Sequence, residues 1–323
     1  MTETSMRSSP SRHLPAWGSA LLRRGGVLLA LILLVGVSSV LSDRFLTVPN
    51  LLNVLRQVSI VGILAVGMTF VILTKGIDLS IGSILGVAVV LFAGLLETQN
   101  MAVAILLGLA AATALGLVNG LGVAFAGIPP FIMTLGMLSF ARGLAFLYTG
   151  GTPIPIISEA FYDLGNGDLL GVPNPTWILG AVILAGWLVL SFTPFGRSVY
   201  AIGSNEDAAR LSGVPVRSYL LVVYLISGFV AGIAGLVFAS QLSVGTPIAG
   251  QGYELDAIAA VVVGGTSLFG GRGSVGGTLI GTLIIGVLAN TLNLTGVDPF
   301  VQQLIKGALI VVAVFIMTRT ERR

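Results

Sequence analysis

From residue 25 onward the chain is a succession of apolar runs separated by short polar breaks. The runs are about 18 to 25 residues long, the length of a membrane-crossing helix rather than of a ~10-residue barrel strand. In lipid every backbone polar group must be bonded internally, which leaves helices or a closed barrel. Run length therefore selects an all-α, polytopic membrane helical bundle. The pattern predicts ten transmembrane helices, near 25–42, 55–74, 79–96, 101–125, 131–148, 175–193, 219–241, 254–269, 275–293 and 299–317. The first run follows Arg23 and Arg24 as a secretory core would, but it is longer than such a core and no small-residue cleavage pattern closes it before Asp43 and Arg44. It reads as a retained span. Residues 1–20, rich in Ser, Arg and Pro, read as a disordered cytoplasmic tail, and 21–323 as one transmembrane domain with a polar cytoplasmic loop at 194–218.

Charge supplies the orientation. With the N-terminus inside, ten spans return the C-terminus inside. Arg7, Arg12, Arg23, Arg24, Lys75, Arg197, Arg210, Arg217, Arg272, Arg319, Arg322 and Arg323 then share the cytoplasmic side, twelve of the sixteen basic residues. Arg44 falls in an outer loop, and Arg56, Arg142 and Lys306 fall within spans. Spans nearly merge at 127–130 and after Lys75, where a half-helix or broken helix fits. Two halves of five spans would make the second half inverted, as transporter folds often are. No repeat is visible in the residues themselves.

Composition agrees with this class. The chain is 55% hydrophobic and 9% charged, with mean hydropathy +1.02, against about 25% charged for soluble domains. It has no cysteine, and its one histidine, His13, lies in the tail. Disulfides, thiolate metal sites, a Ser-His-Asp triad and a zinc-protease helix are thereby excluded, and no metal or cofactor is expected. The net charge of +3 sits mostly at span ends, so it suggests no nucleic-acid partner. No Gly-Lys dipeptide occurs, which removes the P-loop. Gly271, Gly273 and Gly276 match a dinucleotide fingerprint by letters only, because no strand–helix–strand unit surrounds them. Asn293-Leu294-Thr295, at a span boundary, reads as a coincidental sequon.

The longest charged interruption is 193–218. Asn205 or Ser204 there reads as an N-cap, Glu206 and Asp207 occupy a first turn where the dipole favours anions, and Gly213 reads as a stop before Pro215. The segment Asn205, Glu206, Asp207, Ala208, Ala209, Arg210, Leu211 to Gly213 is thus a helix of about two turns, either a partner-binding element or a connector. The turn Lys75, Gly76, Asp78, Ser80, Gly82 breaks one span from the next; Asp78 or Ser80 serves as a cap, or the turn is specialised. Gly82 with Gly86, Gly116 with Gly120, Gly228 with Gly232 and Gly277 with Gly281 have helix-packing spacing, with a gating hinge as the alternative. For the charges inside spans, pairing or snorkelling competes with a transport role. In the latter reading Asn119, Arg142, Asn290, Asn293 and Gln302 line a polar path for a hydroxyl-rich solute.

Three motifs in order, TKGIDLSIGS (74–83), FGRSVYAIGSNEDAARLSGV (195–214) and GYELDAIAAVVVGGTSLFGGRGSVGGTLIG (252–281) followed by LANTLNL, closely resemble the permease subunits of bacterial ribose-type ABC importers. The resemblance runs from about residue 51 to 315. It implies a multi-pass protein of the bacterial inner membrane that passes a pentose or hexose without being an enzyme itself. It also implies a second permease copy or homologue, a separate cytoplasmic ATPase subunit and a periplasmic or lipid-anchored sugar-binding protein. The 205–213 helix then looks like the coupling helix; if it is only a connector, coupling runs elsewhere, through Lys75 to Ser80 or the Arg272 turn. The related branched-chain amino-acid permeases and a stand-alone secondary carrier are the rival readings.

Overall fold

The computed structural model describes residues 16–321; residues 1–15, most of the expected tail, lie outside the described residues. Thirteen helices follow in order among them: α1 Ala16–Leu41, α2 Val48–Leu73, α3 Ile81–Leu96, α4 Met101–Ala124, α5 Pro130–Thr149, α6 Glu159–Asn166, α7 Asn174–Phe192, α8 Pro194–Ser204, α9 Glu206–Leu211, α10 Val216–Leu242, α11 Tyr253–Val263, α12 Val275–Leu294 and α13 Pro299–Glu321. The described strands are two-residue pairs, β1 (Ile154–Pro155) with β4 (Val244–Gly245) and β2 (Asp168–Leu169) with β3 (Val172–Pro173). Starts follow local chemistry. Proline stands in the first turn of α2, α5, α7 and α8, where its missing N–H costs nothing. Asn100 and Ser274 accept from the N–H groups of Val103 and Gly277 to cap α4 and α12.

Each expected span has a helix, but six are long and apolar enough to cross a membrane: α2, α4, α5, α7, α10 and α12. α1, α3 and α13 hold shorter apolar stretches. The run expected to span 254–269 is helical for only 11 residues, about 16 Å, or half a hydrocarbon core. Gly264 closes α11, and Gly265 turns the chain at φ +89°, a conformation a side chain would resist.

The centre is built on α2 and α3. In α2, 78% of the apolar window is buried, against 22% in α4, α5 and α7. Residues 81–90 of α3 are buried on every side, as its unbroken apolar sequence demands. Glycine lets the surrounding helices close in. A Cβ at Gly116 would stand 2.8 Å from the Gly228 Cα, and one at Gly228 would stand 2.5 Å from the Ala112 carbonyl oxygen. Backbone therefore rests on backbone where α4 meets α10, and Gly281 against Ala260 does the same for α12 and α11.

The contacts also contain the repeat that the residues did not display. α3 packs against α4, α5 and α10, while α11 packs against α12, α13 and α2. Matching α2–α5 to α10–α13 converts one set into the other. The matching helices α2 and α10 run in opposite directions where they pack: Gly76, beyond the end of α2, meets Tyr224, and Gly67 within it meets Val230. The halves are therefore inverted. Gly76-Ile77-Asp78-Leu79-Ser80 and Gly252-Tyr253-Glu254-Leu255-Asp256 occupy matching places, each with a glycine, then an acid, a leucine and a polar residue, ahead of α3 and at the start of α11.

Gly228→Ala should cost about 1–3 kcal/mol of stability, since the new methyl meets carbonyl and Cα atoms that cannot rotate away. Gly136→Ala, with nothing within 4 Å, is the control expected to be neutral. Thermal unfolding of both purified variants in one detergent checks the difference.

Candidate functional site

Two non-helical segments lead into α3 and α11, and both lie beside helices rather than beyond them. After Leu73 the chain turns back along α2, so that Ile81 touches the position where Gly67 would carry a side chain. Segment 243–252 descends along α3, with Gly245 against Ala93 and Gly250 against Gly82, a path of about 16 Å. Non-helical backbone at such depth survives only where protein bonds it. The side chains here do so.

Thr134 Oγ1 of α5 donates to the Ile77 carbonyl at 2.9 Å. Arg142 Nη1, one helix turn pair further along α5, donates to the carbonyls of Pro247 at 2.5 Å and Ala249 at 2.8 Å. Asp78 is fully buried. Its Oδ2 accepts from Ser227 of α10 at 2.6 Å, and its Oδ1 accepts from the Ser80 hydroxyl at 2.6 Å and the Ser80 N–H at 3.0 Å. Asn119 of α4 donates to Ser80 Oγ at 2.8 Å. Neither the Asp78 nor the Ser80 side chain accepts from an N–H within α3; the carboxylate instead ties the broken segment to α10. On the counterpart side Lys306 of α13 pairs with Asp256 at 2.9 Å, and the Glu254 carboxylate backs onto Gly82. A Cβ at Gly82 would collide with it and with the Gly250 carbonyl.

Lys75 ends α2 in the left-handed region at φ +64°, where glycine is usual. Its Nζ reaches the Ser204 carbonyl at 3.5 Å. Gly271 N–H donates to the Leu73 carbonyl at 2.9 Å, Gly203 lies against that same carbonyl, and Tyr200 donates to the Gly273 carbonyl at 3.0 Å. The end of α2, the α8–α9 element and the turn holding Arg272 thus form one contact. In α9, Asn205 accepts from Ala208 N–H as the N-cap and Gly213 turns at φ +85°. Glu206 and Arg210 pair across one turn at 2.5 Å. Asp207 and Ala208 are exposed, Ala209 is buried against Ile202 and Val216, and Leu211 is 90% exposed. α8 continues the element on its N-terminal side, a helix not expected from the sequence.

The five polar path candidates do not converge. Asn119 belongs to the Asp78 cluster, and Arg142 holds the descending segment. Asn290 exchanges two bonds with Asn50, at 2.9 and 3.0 Å. Asn293 and Gln302 bond one another at 2.8 Å near the α12–α13 turn. Ser227, Thr134, Asn50 and the carbonyls of 247 and 249 were missed by sequence reasoning. A small residue beside a packing glycine, as Ser227 is beside Gly228, is the one signal that could have raised the first.

Comparison with known proteins follows this geometry. The family model described as branched-chain amino acid transport system / permease component matches residues 50–314. The ribose import permease protein RbsC of Escherichia coli K12 is 46% identical over 294 residues, 90% of this chain and 92% of that protein. RbsC of Bacillus subtilis is 47% identical over 300 residues, covering 91% and 92%. The L-arabinose ABC transporter permease protein AraH of Azospirillum brasilense is 37% identical over 308 residues, covering 94% and 90%.

Arg142→Met should strand two buried carbonyls and cost about 1–3 kcal/mol for each. Arg142→Lys, which keeps the charge and can still donate, should cost less. Unfolding in detergent ranks the two, and equal stability of Arg142→Met and the parent would contradict this role.

Proposed function

Because the chain belongs to the family of branched-chain amino acid transport system permease components, we propose that it is the membrane permease subunit of an ATP-binding-cassette importer for a monosaccharide of the ribose type. The observation that carries this reading is identity near 46% over nine-tenths of the chain to ribose import permeases. The broader family description names amino acids, but the RbsC and AraH relatives, which match almost end to end, are named for sugars.

In this reading the chain crosses the bacterial inner membrane ten times with both termini in the cytoplasm. The 243–252 segment and α11 together make one crossing. Lys75, Arg197, Arg210, Arg217, Arg272 and Arg319 then share the cytoplasmic side. The chain works as a dimer with a second permease copy or homologue, receives solute from a periplasmic or lipid-anchored binding protein, and draws energy from a separate ATPase, since it has no P-loop of its own. α9 docks the ATPase, with exposed Leu211 as its apolar anchor. Motion of α9 passes through Ser204 and Lys75 to the 74–80 segment and the start of α3. Arg142, Asn293 and Gln302, which keep some exposure, line the solute path; Asn119 and Asn290, buried with their partners, hold the helices that frame it.

Leu211→Asp should lower ATPase copurification and sugar uptake by at least roughly tenfold if the leucine is a buried anchor, with unchanged detergent stability. Exchanging Glu206 and Arg210 keeps their one-turn pair, so the helix folds, and should weaken the same partner contact. Normal uptake and partner recovery in both, at matched membrane abundance, would make α9 a connector. Separately, a C-terminal reporter that is active only in the periplasm should stay silent.

A further inference from the structure

The first broken segment is tied to α8, α9 and the Arg272 turn near the start of α10, and the second is tied to a different element at the far end of α10. Segment 243–252 begins at Ser243, left-handed at φ +53°, whose carbonyl accepts from the Ile156 N–H at 2.9 Å. β1 and β4 pair there, with Ile154 opposite Gly245. α6 follows β1 and rests on the last turn of α10. Ser240 Oγ donates to the carbonyls of Phe161 and, at 3.2 Å, Tyr162, and Asn166 Nδ2 donates to that of Ser240 at 2.9 Å. The buried Phe161 ring meets Phe92 of α3, with centroids 6.2 Å apart. β1 and α6 are thus fixed to α3, to α10 and to the first residues of the second broken segment.

The opposite face of this element is apolar where water would make it polar. From 154 to 157 burial alternates, with Ile154 and Ile156 turned inward and Pro155 and Ile157 outward. An extended stretch with one face in water ordinarily places polar residues on it; here Ile157 is 95% exposed. α6 turns Phe161 and Gly165 inward, and Glu159, Tyr162 and Asp163 outward. The stretch 143–196 contains three acids, Glu159, Asp163 and Asp168, and no Lys, Arg or His. An isoleucine and a tyrosine on a fixed support, bordered by acids, have the make-up of a protein interface, apolar and aromatic at its centre and charged at its rim. Such a rim repels anionic lipid, and a second copy meeting it face to face would set acid against acid. The charge selects a different chain, one that carries Lys or Arg around an apolar contact.

We propose that the outward face of β1 and α6, centred on Ile157 and Tyr162, is where the separate sugar-binding protein docks, through a basic rim on that protein facing Glu159 and Asp163. The assignment rests on the importer reading and on its placement of 150–173 outside the membrane. Docking there bears on Ser243 and the second broken segment, as α9 bears on the end of α2 and the first.

The test uses the full permease with its ATPase subunit in lipid nanodiscs. The probe is a ribose-binding protein, loaded with ribose, that supports uptake by the same complex in vesicles. Ile157→Cys, read on the permease chain, should react quickly with a maleimide when the probe is absent. Saturating probe should slow the reaction roughly tenfold, because burial at an interface centre excludes solvent. Slow reaction before the probe is added would mean that lipid or a second copy covers the patch, and an unchanged rate with the probe bound would mean that it docks elsewhere; either overturns the surface. Glu159→Lys combined with Asp163→Lys should slow probe association roughly tenfold at low salt, with the difference shrinking as salt rises. A parental association rate at low salt would overturn the charge complementarity on which the assignment stands. If no sugar-loaded binding protein supports uptake, the importer reading falls and this surface with it; normal uptake with an unprotected Ile157→Cys removes this surface alone.

Discussion

The need to bond every backbone polar group away from water governs this molecule more than any single packing contact. A helix meets that need by itself; segments 74–80 and 243–252 do not. Each non-helical carbonyl or N–H left bare in lipid costs several kcal/mol, so these segments exist only because other helices reach across to them. Thr134 and Arg142 do so from α5, and Ser227 from α10 through Asp78. The enclosing cage then fixes the rest. α3 must be central, its neighbours must approach closely, and glycines must occupy the points of approach.

Much of this was legible in the residues because lipid enforces simple rules. Apolar run length located the helices, Asn205 and Gly213 marked the bounds of α9, and three of the four glycine pairs lie at close helix contacts, while Gly82 and Gly86 admit the non-helical segment at Ala249 and Gly250. What escaped was depth. The run at 254–269 is apolar enough to cross, and hydropathy does not distinguish a helix there from a half-helix after a descending strand. Gly264 and Gly265, directly after three valines, are the local signal that the helix stops. Asp78 escaped for a similar reason. Beside a helix start a carboxylate reads as a cap, whereas its partner Ser227 is 149 residues away and no local rule points to it. Residue type marks Asn290 as a path candidate but does not reveal its two bonds to Asn50.

The same constraint links the fold to transport. A broken helix whose bonds come from other helices can rearrange only together with them. Lys75 and Gly271 connect the end of α2 to α8, α9 and the Arg272 turn, so the proposed ATPase-facing element and the first broken segment share one joint. Lys75 stands three residues before Asp78, and Asp78 is bonded to α10. The inverted counterpart, around Glu254 and Asp256, is anchored to α13 by Lys306.

The central claim is that both broken segments lie enclosed by protein at membrane depth. The absence of native cysteine allows a direct measurement, the rate at which a membrane-impermeant maleimide labels single cysteines in sealed vesicles of either orientation. Ala249→Cys and Ser80→Cys, at positions 2% and 0% exposed, should resist labelling from both sides. Leu170→Cys and Leu211→Cys, at positions 86% and 90% exposed, should label quickly, each from one side. Labelling of Ala249→Cys at the rate of Leu170→Cys would contradict the account, because the 243–252 segment would then be an ordinary surface loop.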